Sequence, residues 1–204
     1  MRPLHDLIDP AHTALVTQEC QRGAIGSGAL WPPLADAAAS AIGNIAVLAT
    51  AARRAGVVVF HCLVAKRPDL RGSNRNAPLY RAATRPGRLE LGTAATELVP
   101  LLAGDERDVV IHRTHGISPL YRTGLDTMLR NRGIKTIVGV GVSVNVAIFA
   151  LALDGVNASY DVVIPRDAVA GVPRDYASRV VDNSLSLLAT VVSTNDVTSA
   201  WEES

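Results

Sequence analysis

Lysine is nearly missing from this chain of 204 residues: of its 20 basic residues only Lys66 and Lys135 carry an amine. Chemistry that needs a titratable ammonium therefore has two candidates. Cysteine is as scarce. Cys20 and Cys62 build neither a disulfide framework nor a CxxC metal pair, which suits a reducing compartment. An excess of one charge is also missing, since 20 Lys plus Arg stand against 19 Asp plus Glu. The net charge of +1 is scattered, and it gives no field to gather nucleic acid or an anionic membrane. No apolar run reaches the ~20 residues of a membrane span, and the opening MRPLHDLIDP has no signal-peptide core. These absences lead us to expect a cytoplasmic protein with no nucleic-acid or membrane partner. Length and a 48% apolar content suit a single domain over residues 1–204.

What is present is alternation. Short runs rich in Val and Ile recur at Thr13–Gln18, Gly56–Val64, Asp108–His112, Lys135–Val142, Ser159–Pro165 and Ala189–Ser193. Between them lie an Ala-rich segment, Leu34–Ala55, and stretches of helical period at Thr93–Leu102, Gly124–Arg132, Val144–Val156 and Arg174–Leu188. Near-continuous apolar strands alternating with amphipathic helices predict an α/β fold: a doubly wound parallel sheet of six strands in three layers, covered on both faces. The one long irregular stretch, Ala65–Pro86, is rich in Arg, Asn, Gly and Pro and reads as a lid, a binding loop or an oligomer contact.

Ligands of doubly wound sheets bind beyond the carboxyl ends of the strands. That rule selects Glu19, Cys20 and Gln21 after the first strand, and His61, Cys62 and Lys66 at the second. It also selects His112, Arg113 and His115 after the third, Ser143, Asn145 and Ala147 after the fourth, and Arg166 and Asp167 after the fifth. Gly139 and Gly141 match a dinucleotide fingerprint poorly, lacking the third glycine and sitting on the fourth strand. Residues 141–145, GVSVN, resemble part of a nucleophile elbow, but all five histidines precede Ser143, which excludes the Ser, acid, His order of that triad. His112 and His115 have no third ligand marked by spacing, so neither a metal nor another cofactor is expected.

The strand ends resemble the isochorismatase-like cysteine hydrolases, which include nicotinamidases, N-carbamoylsarcosine amidase relatives and isochorismatases. TALVTQECQ, residues 13–21, puts Glu19 where the family has an acid. DVVIHRTHGISPLYRTGLDTML, residues 108–129, puts Arg113 at the family's lysine, followed by Ser118, Pro119, Leu120 and Thr123. GVSVNVAI, residues 141–148, puts Ala147 where the nucleophilic cysteine stands. Asp167 and Ala168 match an Asp-Ala pair, and VVSTNDV near the end is also similar. The resemblance covers about Thr13 to Trp201. It implies the strand order 3-2-1-4-5-6, a homo-oligomer (dimer or tetramer), and a non-proline cis peptide before the nucleophile, placed here at Ser143–Val144. That turn aims the amides of Ser143, Val144 and Asn145 into the site as an anion hole.

The family's thiol chemistry needs a thiolate, a carboxylate to take its proton and an ammonium to hold charge. Here Glu19 keeps the carboxylate but extends it by a methylene, a shift of about an ångström. Arg113 holds charge yet cannot release a proton at ordinary pH, and Ala147 offers no nucleophile. Three readings stay open. In the first, Glu19 donates a proton to the substrate while Arg113 grips a substrate carboxylate bidentately, with no thiol required. In the second, Cys62 replaces the missing nucleophile with Lys66 nearby. In the third, the chain is catalytically inactive and binds a small anion or serves as a partner subunit. The expected substrate is a small carboxylate- or amide-bearing molecule bound with help from Ser143, Val144, Asn145, His115, Cys62 and Lys66.

Overall fold

The computed structural model describes residues 2–83 and 87–203. Seven strands lie in one parallel sheet: β1 (Thr13–Gln18), β2 (Val58–Val64), β3 (Val109–Arg113), β4 (Thr136–Val142), β5 (Asp161–Pro165), β6 (Val169–Ala170) and β7 (Thr190–Val192). The order is β3-β2-β1-β4-β5-β7, with β6 paired to the end of β4. All six expected strands appear, in the expected order. The seventh, β6, escapes sequence reading because two residues carry no period.

Alternation along the strands divides the core. Leu15, Val59, Val138 and Val163 face helices Ile42–Ala55 and Thr194–Glu202, whereas Ala14, Val16, Phe60 and Ile137 face helix Leu125–Asn131 and Leu151 of helix Phe149–Asn157. Helix Ile42–Ala55 buries Ile45, Leu48, Ala49 and Ala52, an i, i+3, i+4, i+7 stripe, and Gly56 at φ +78° ends it. No single helix among the described residues is long and apolar enough to cross a membrane. Trp201 Nε1 donates to the Ile8 carbonyl at 3.0 Å, and Ser193 and Asp196 form a capping box that starts this last helix.

The Ala-rich segment forms two helices, Pro32–Ala38 and Ile42–Ala55. Two helix expectations are corrected. The expected helix Arg174–Leu188 ends at Asn183, followed by a single 3₁₀ turn at Leu185–Leu187. Thr93–Leu102 forms only a 3₁₀ turn at Ala94–Thr96. Pro100 explains the last: it has no N–H for a helical bond and disfavours helical backbone at Val99. The Thr96 carbonyl is taken instead by His112 Nε2 at 3.1 Å. Without that helix, Val110 and His112 of edge strand β3 remain exposed.

The long segment after β2 folds back over the strand ends. Lys66 N donates to the Leu89 carbonyl (2.7 Å) and Leu91 N to the Lys66 carbonyl (2.8 Å). Between them a short helix, Pro78–Ala83, brings Tyr80 over the sheet. Residues 84–86, the end of the expected loop, lie outside the described residues.

Candidate active site

The ends of β1, β2 and β3 converge on one buried cluster of charge. Glu19 directly follows β1 in the left-handed region (φ +55°), and its amide donates to the Cys62 carbonyl at 2.9 Å. Arg113, the last residue of β3 and 5% exposed, reaches past β2 to pair directly with the Glu19 carboxylate. Its other terminal nitrogen donates to the Gly116 carbonyl, and its Nε is buried without a partner. Gln18 Nε2 lies 3.4 Å from Glu19 Oε1 and 3.3 Å from the Ile117 carbonyl. Asn74, from the overlying segment, accepts from Gly116 N at 2.9 Å.

Lys66 completes the cluster. It is 2% exposed, with its ammonium 6.0 Å from the centre of the Tyr80 ring. Burial pushes the Glu19 carboxyl above the usual carboxylate range, and the Arg113 and Lys66 charges offset only part of that rise. Burial and then the neighbouring Arg113 charge hold the Lys66 ammonium below its ordinary value, with Glu19 opposing them. One carboxylate thus faces two cations, leaving a net positive charge in a largely water-excluded place.

The β4 side supplies backbone. Gly141, at φ +112°, passes so close to β1 that a Cβ there would lie 2.3 Å from the Gln18 carbonyl oxygen. The following cis peptide is Val142–Ser143, one bond earlier than expected. The reason is visible in the turn: the Ser143 carbonyl accepts from Val146 N (3.1 Å) and Ile148 N (3.0 Å), so the Ser143–Val144 peptide already belongs to the π turn Val144–Ile148. Val144 and Asn145 open that turn, where first-turn amides have no partner within the helix. Ala147, buried in the same turn, presents a methyl group.

The other sequence candidates separate. Cys62 alternates to the opposite side of β2 from His61 and packs with Phe60, Leu125 and Leu129. Burial pushes its thiol up to about 12, with Arg113 pulling only weakly the other way, so it is held as an apolar thiol. Cys20 is buried on the other face, its thiol likewise pushed up to about 12 by burial and then by Glu19. His115 is half-buried in the short loop between Arg113 and Gly116. Gln21 is a clamp: its side chain accepts from Val64 N (2.7 Å) and donates to the carbonyls of Val64 (2.8 Å) and Ala95 (3.1 Å). Asp167 accepts from Thr194 N and its hydroxyl, and Arg166 pairs with Asp182. Lys135 lies at the amino end of β4, the far end of the sheet.

Sequence reasoning did not reach three groups. Tyr80 and Asn74 belong to an irregular segment whose fold over the site has no periodic signal. The third is the network around the strand-end candidate His61, fully buried, whose Nε2 lies 2.9 Å from Asp108 and Nδ1 2.7 Å from the Thr17 hydroxyl. Because Asp108 only accepts, Nε2 carries the proton, and in the neutral ring that burial favours, Thr17 donates to Nδ1. Burial holds its pKa below the ordinary range. Among the described residues no group of three metal-ligating side chains converges.

A parallel sheet in this order, with an acid after β1, a cation at the end of β3 and a tight turn after β4, is a doubly wound α/β architecture with its polar groups gathered at the carboxyl ends of the strands. The isochorismatase domain model matches residues 13–196, and the chain belongs to the isochorismatase family of hydrolases. It is 26% identical to a ureidoacrylate amidohydrolase of Enterobacter sp. over 194 residues, covering 87% of this chain and 84% of that protein. A ureidoacrylate amidohydrolase of Methylorubrum extorquens is 37% identical over 87 residues, which span 42% of this chain and only 35% of that enzyme. Among solved structures, a cysteine hydrolase from Pseudomonas syringae pv. phaseolicola superposes with a TM-score of 0.85 at 25% identity, covering 97% of this chain and 95% of that one. N-carbamoylsarcosine amidase from Thermoplasma acidophilum shares the fold, with a TM-score of 0.74 at 24% identity over 90% and 97% of the two chains.

Proposed function

We propose that the protein hydrolyses a small carboxylate- or amide-bearing compound with water, not a protein thiol, as the attacking group. The observation that carries this reading is the buried cluster of Glu19, Arg113 and Lys66 with its surplus positive charge and its unpartnered Arg113 Nε. Such a place stabilises an anion, either a substrate carboxylate or the oxyanion formed as water adds. Glu19, the acid of the cluster, with burial raising its pKa, is placed to exchange protons with substrate or water. Both terminal nitrogens of Arg113 are engaged within the protein, so Arg113 holds Glu19 and offers Nε, rather than a free fork, to the substrate. The opening amides of the Val144–Ile148 turn are the second source of positive potential. The ureidoacrylate amidohydrolases among the relatives support an amide or ureide carrying a carboxylate as substrate.

The test is a hydrolysis panel of vinyl ethers, ureido acids and small primary amides, run on the native protein, Glu19→Gln, Cys62→Ala and Ala147→Cys. Turnover lost in Glu19→Gln and unaffected in Cys62→Ala is expected. Turnover that depends on Cys62 overturns the water mechanism.

One observation favours a second reading. Arg113 and Glu19 satisfy one another while Ala147 presents only a methyl group, which is how a binding subunit without turnover would be built. Tight binding of a small carboxylate with no hydrolysis across the panel selects it.

A further inference from the structure

We propose that Lys66 is the proton-donating amine of this site, delivered from the end of β2, and that it protonates the leaving nitrogen while Glu19 takes the proton of the attacking water. The inference rests on the hydrolase reading above and adds a catalytic residue to it.

The placement is rigid. Ala65 N donates to the Arg113 carbonyl at 2.9 Å, fixing the backbone beside β3, and both main-chain groups of Lys66 are bonded to the Leu89 and Leu91 backbone. The side chain is nevertheless 98% enclosed, an unusual state for a lysine without a close counter-ion. No ion pair joins it to a carboxylate among the described residues, because Glu19 is taken by Arg113. The groups facing it are Glu19 from β1, Arg113 from β3 and Tyr80 from helix Pro78–Ala83, with Glu90 across the backbone bridge. On its own segment Arg67 is exposed and turned to Asp69. Arg113 cannot release a proton and its charge is matched by Glu19, so the Lys66 ammonium is the surplus charge of the cluster and the cation able to give up a proton.

The step balances. A water oxygen bonds to the substrate carbonyl carbon as its proton passes to the Glu19 carboxylate. The C–N bond then breaks as Lys66 gives a proton to the departing nitrogen, and the proton held by Glu19 passes through water back to the Lys66 amine. The products are a carboxylic acid and an amine or ammonia.

Lys66→Arg keeps the charge and removes the transferable proton. We expect kcat to fall by about a hundredfold with KM little changed, the size usual for a lost general acid. Lys66→Met, which also loses the charge, should raise KM as well. A Lys66→Arg enzyme with wild-type kcat overturns the proposal while leaving the hydrolase reading intact. A native protein inactive on the whole panel overturns both.

Two lysines allow a measurement that needs no substrate. In protein labelled with 13C at lysine Cε, the resonance absent from Lys66→Arg should titrate below the ordinary lysine value, move further down in Glu19→Gln and move up in Arg113→Gln. Titration of that resonance at the ordinary lysine value, or no response to Glu19→Gln and Arg113→Gln, counts against the Lys66 role.

Discussion

Arg113 at the end of β3 meets Glu19 after β1 by passing over the end of β2, which lies between them in the sheet. Alternate strands stand about 9–10 Å apart, so the pair closes only because both side chains are long. Glu19 and Arg113 therefore go together, and changing either alone leaves the other's charge poorly compensated in an enclosed place.

Stability should report this coupling. Arg113→Gln is expected to cost about 3 kcal/mol, since it strands the carboxylate in a largely enclosed place, and Glu19→Gln at least as much, because it strands the more deeply enclosed guanidinium, which cannot shed its charge. The double variant Glu19→Gln/Arg113→Gln should recover a large part of the loss. Urea unfolding of the three variants gives the coupling energy; strictly additive losses would show that the pair does not act as a unit.

His61 makes stability depend on pH. Its folded pKa lies below the free value of 6.5, so the folded protein binds fewer protons than the unfolded chain as pH falls past 6.5. The contribution is complete above 6.5, declines below it, and levels off once the folded His61 itself protonates. Glu19, raised on folding, acts in the opposite sense, so the difference between wild type and His61→Asn isolates the histidine. Urea midpoints of the wild type should drop between pH 7.5 and 5 more steeply than those of His61→Asn.

Two glycines should respond in opposite directions. Gly141→Ala forces a side chain into the left-handed region and onto the Gln18 backbone, where neither element can give way, and is expected to cost more than about 3 kcal/mol. Gly43→Ala, in the first turn of helix Ile42–Ala55 with nothing within 4 Å of the added carbon, should stabilise by about 0.5 kcal/mol. Thermal melts followed by circular dichroism check both.

Gln21 is predicted to matter more than its polarity suggests. Gln21→Leu leaves the Val64 amide and the Val64 and Ala95 carbonyls without their side-chain partner in a buried place, and a loss of about 2 kcal/mol is expected. Amide hydrogen exchange should rise at Val64 and across residues 89–98; unchanged protection there would show that the clamp is dispensable.

Strand positions were legible because each β run is short, apolar and followed by a stretch of a different period, as in TALVTQ and TIVGVGV, whereas their order was legible only through the family resemblance. Glu19, Arg113 and Ala147 were legible as strand-end positions on the resemblance. Thr93–Leu102 misled because its apolar spacing is helical while Pro100 forbids the backbone to follow. The Thr17, His61, Asp108 network was invisible for a different reason. Its members stand 44 and 47 positions apart, and only strand register brings them within bonding distance. Tyr80 and Asn74 likewise reach the site through a fold-back that no periodicity records.

The bond from Trp201 to the Ile8 carbonyl joins positions 193 apart. The first and last helices of the described chain therefore lie side by side, and the path from end to end is nearly a closed ring. A short linker could join residue 203 to residue 2 while new termini are opened at an exposed turn such as Gly28, where an added carbon meets nothing. The sheet order would survive that rearrangement, because no strand pairing depends on where the ring is cut.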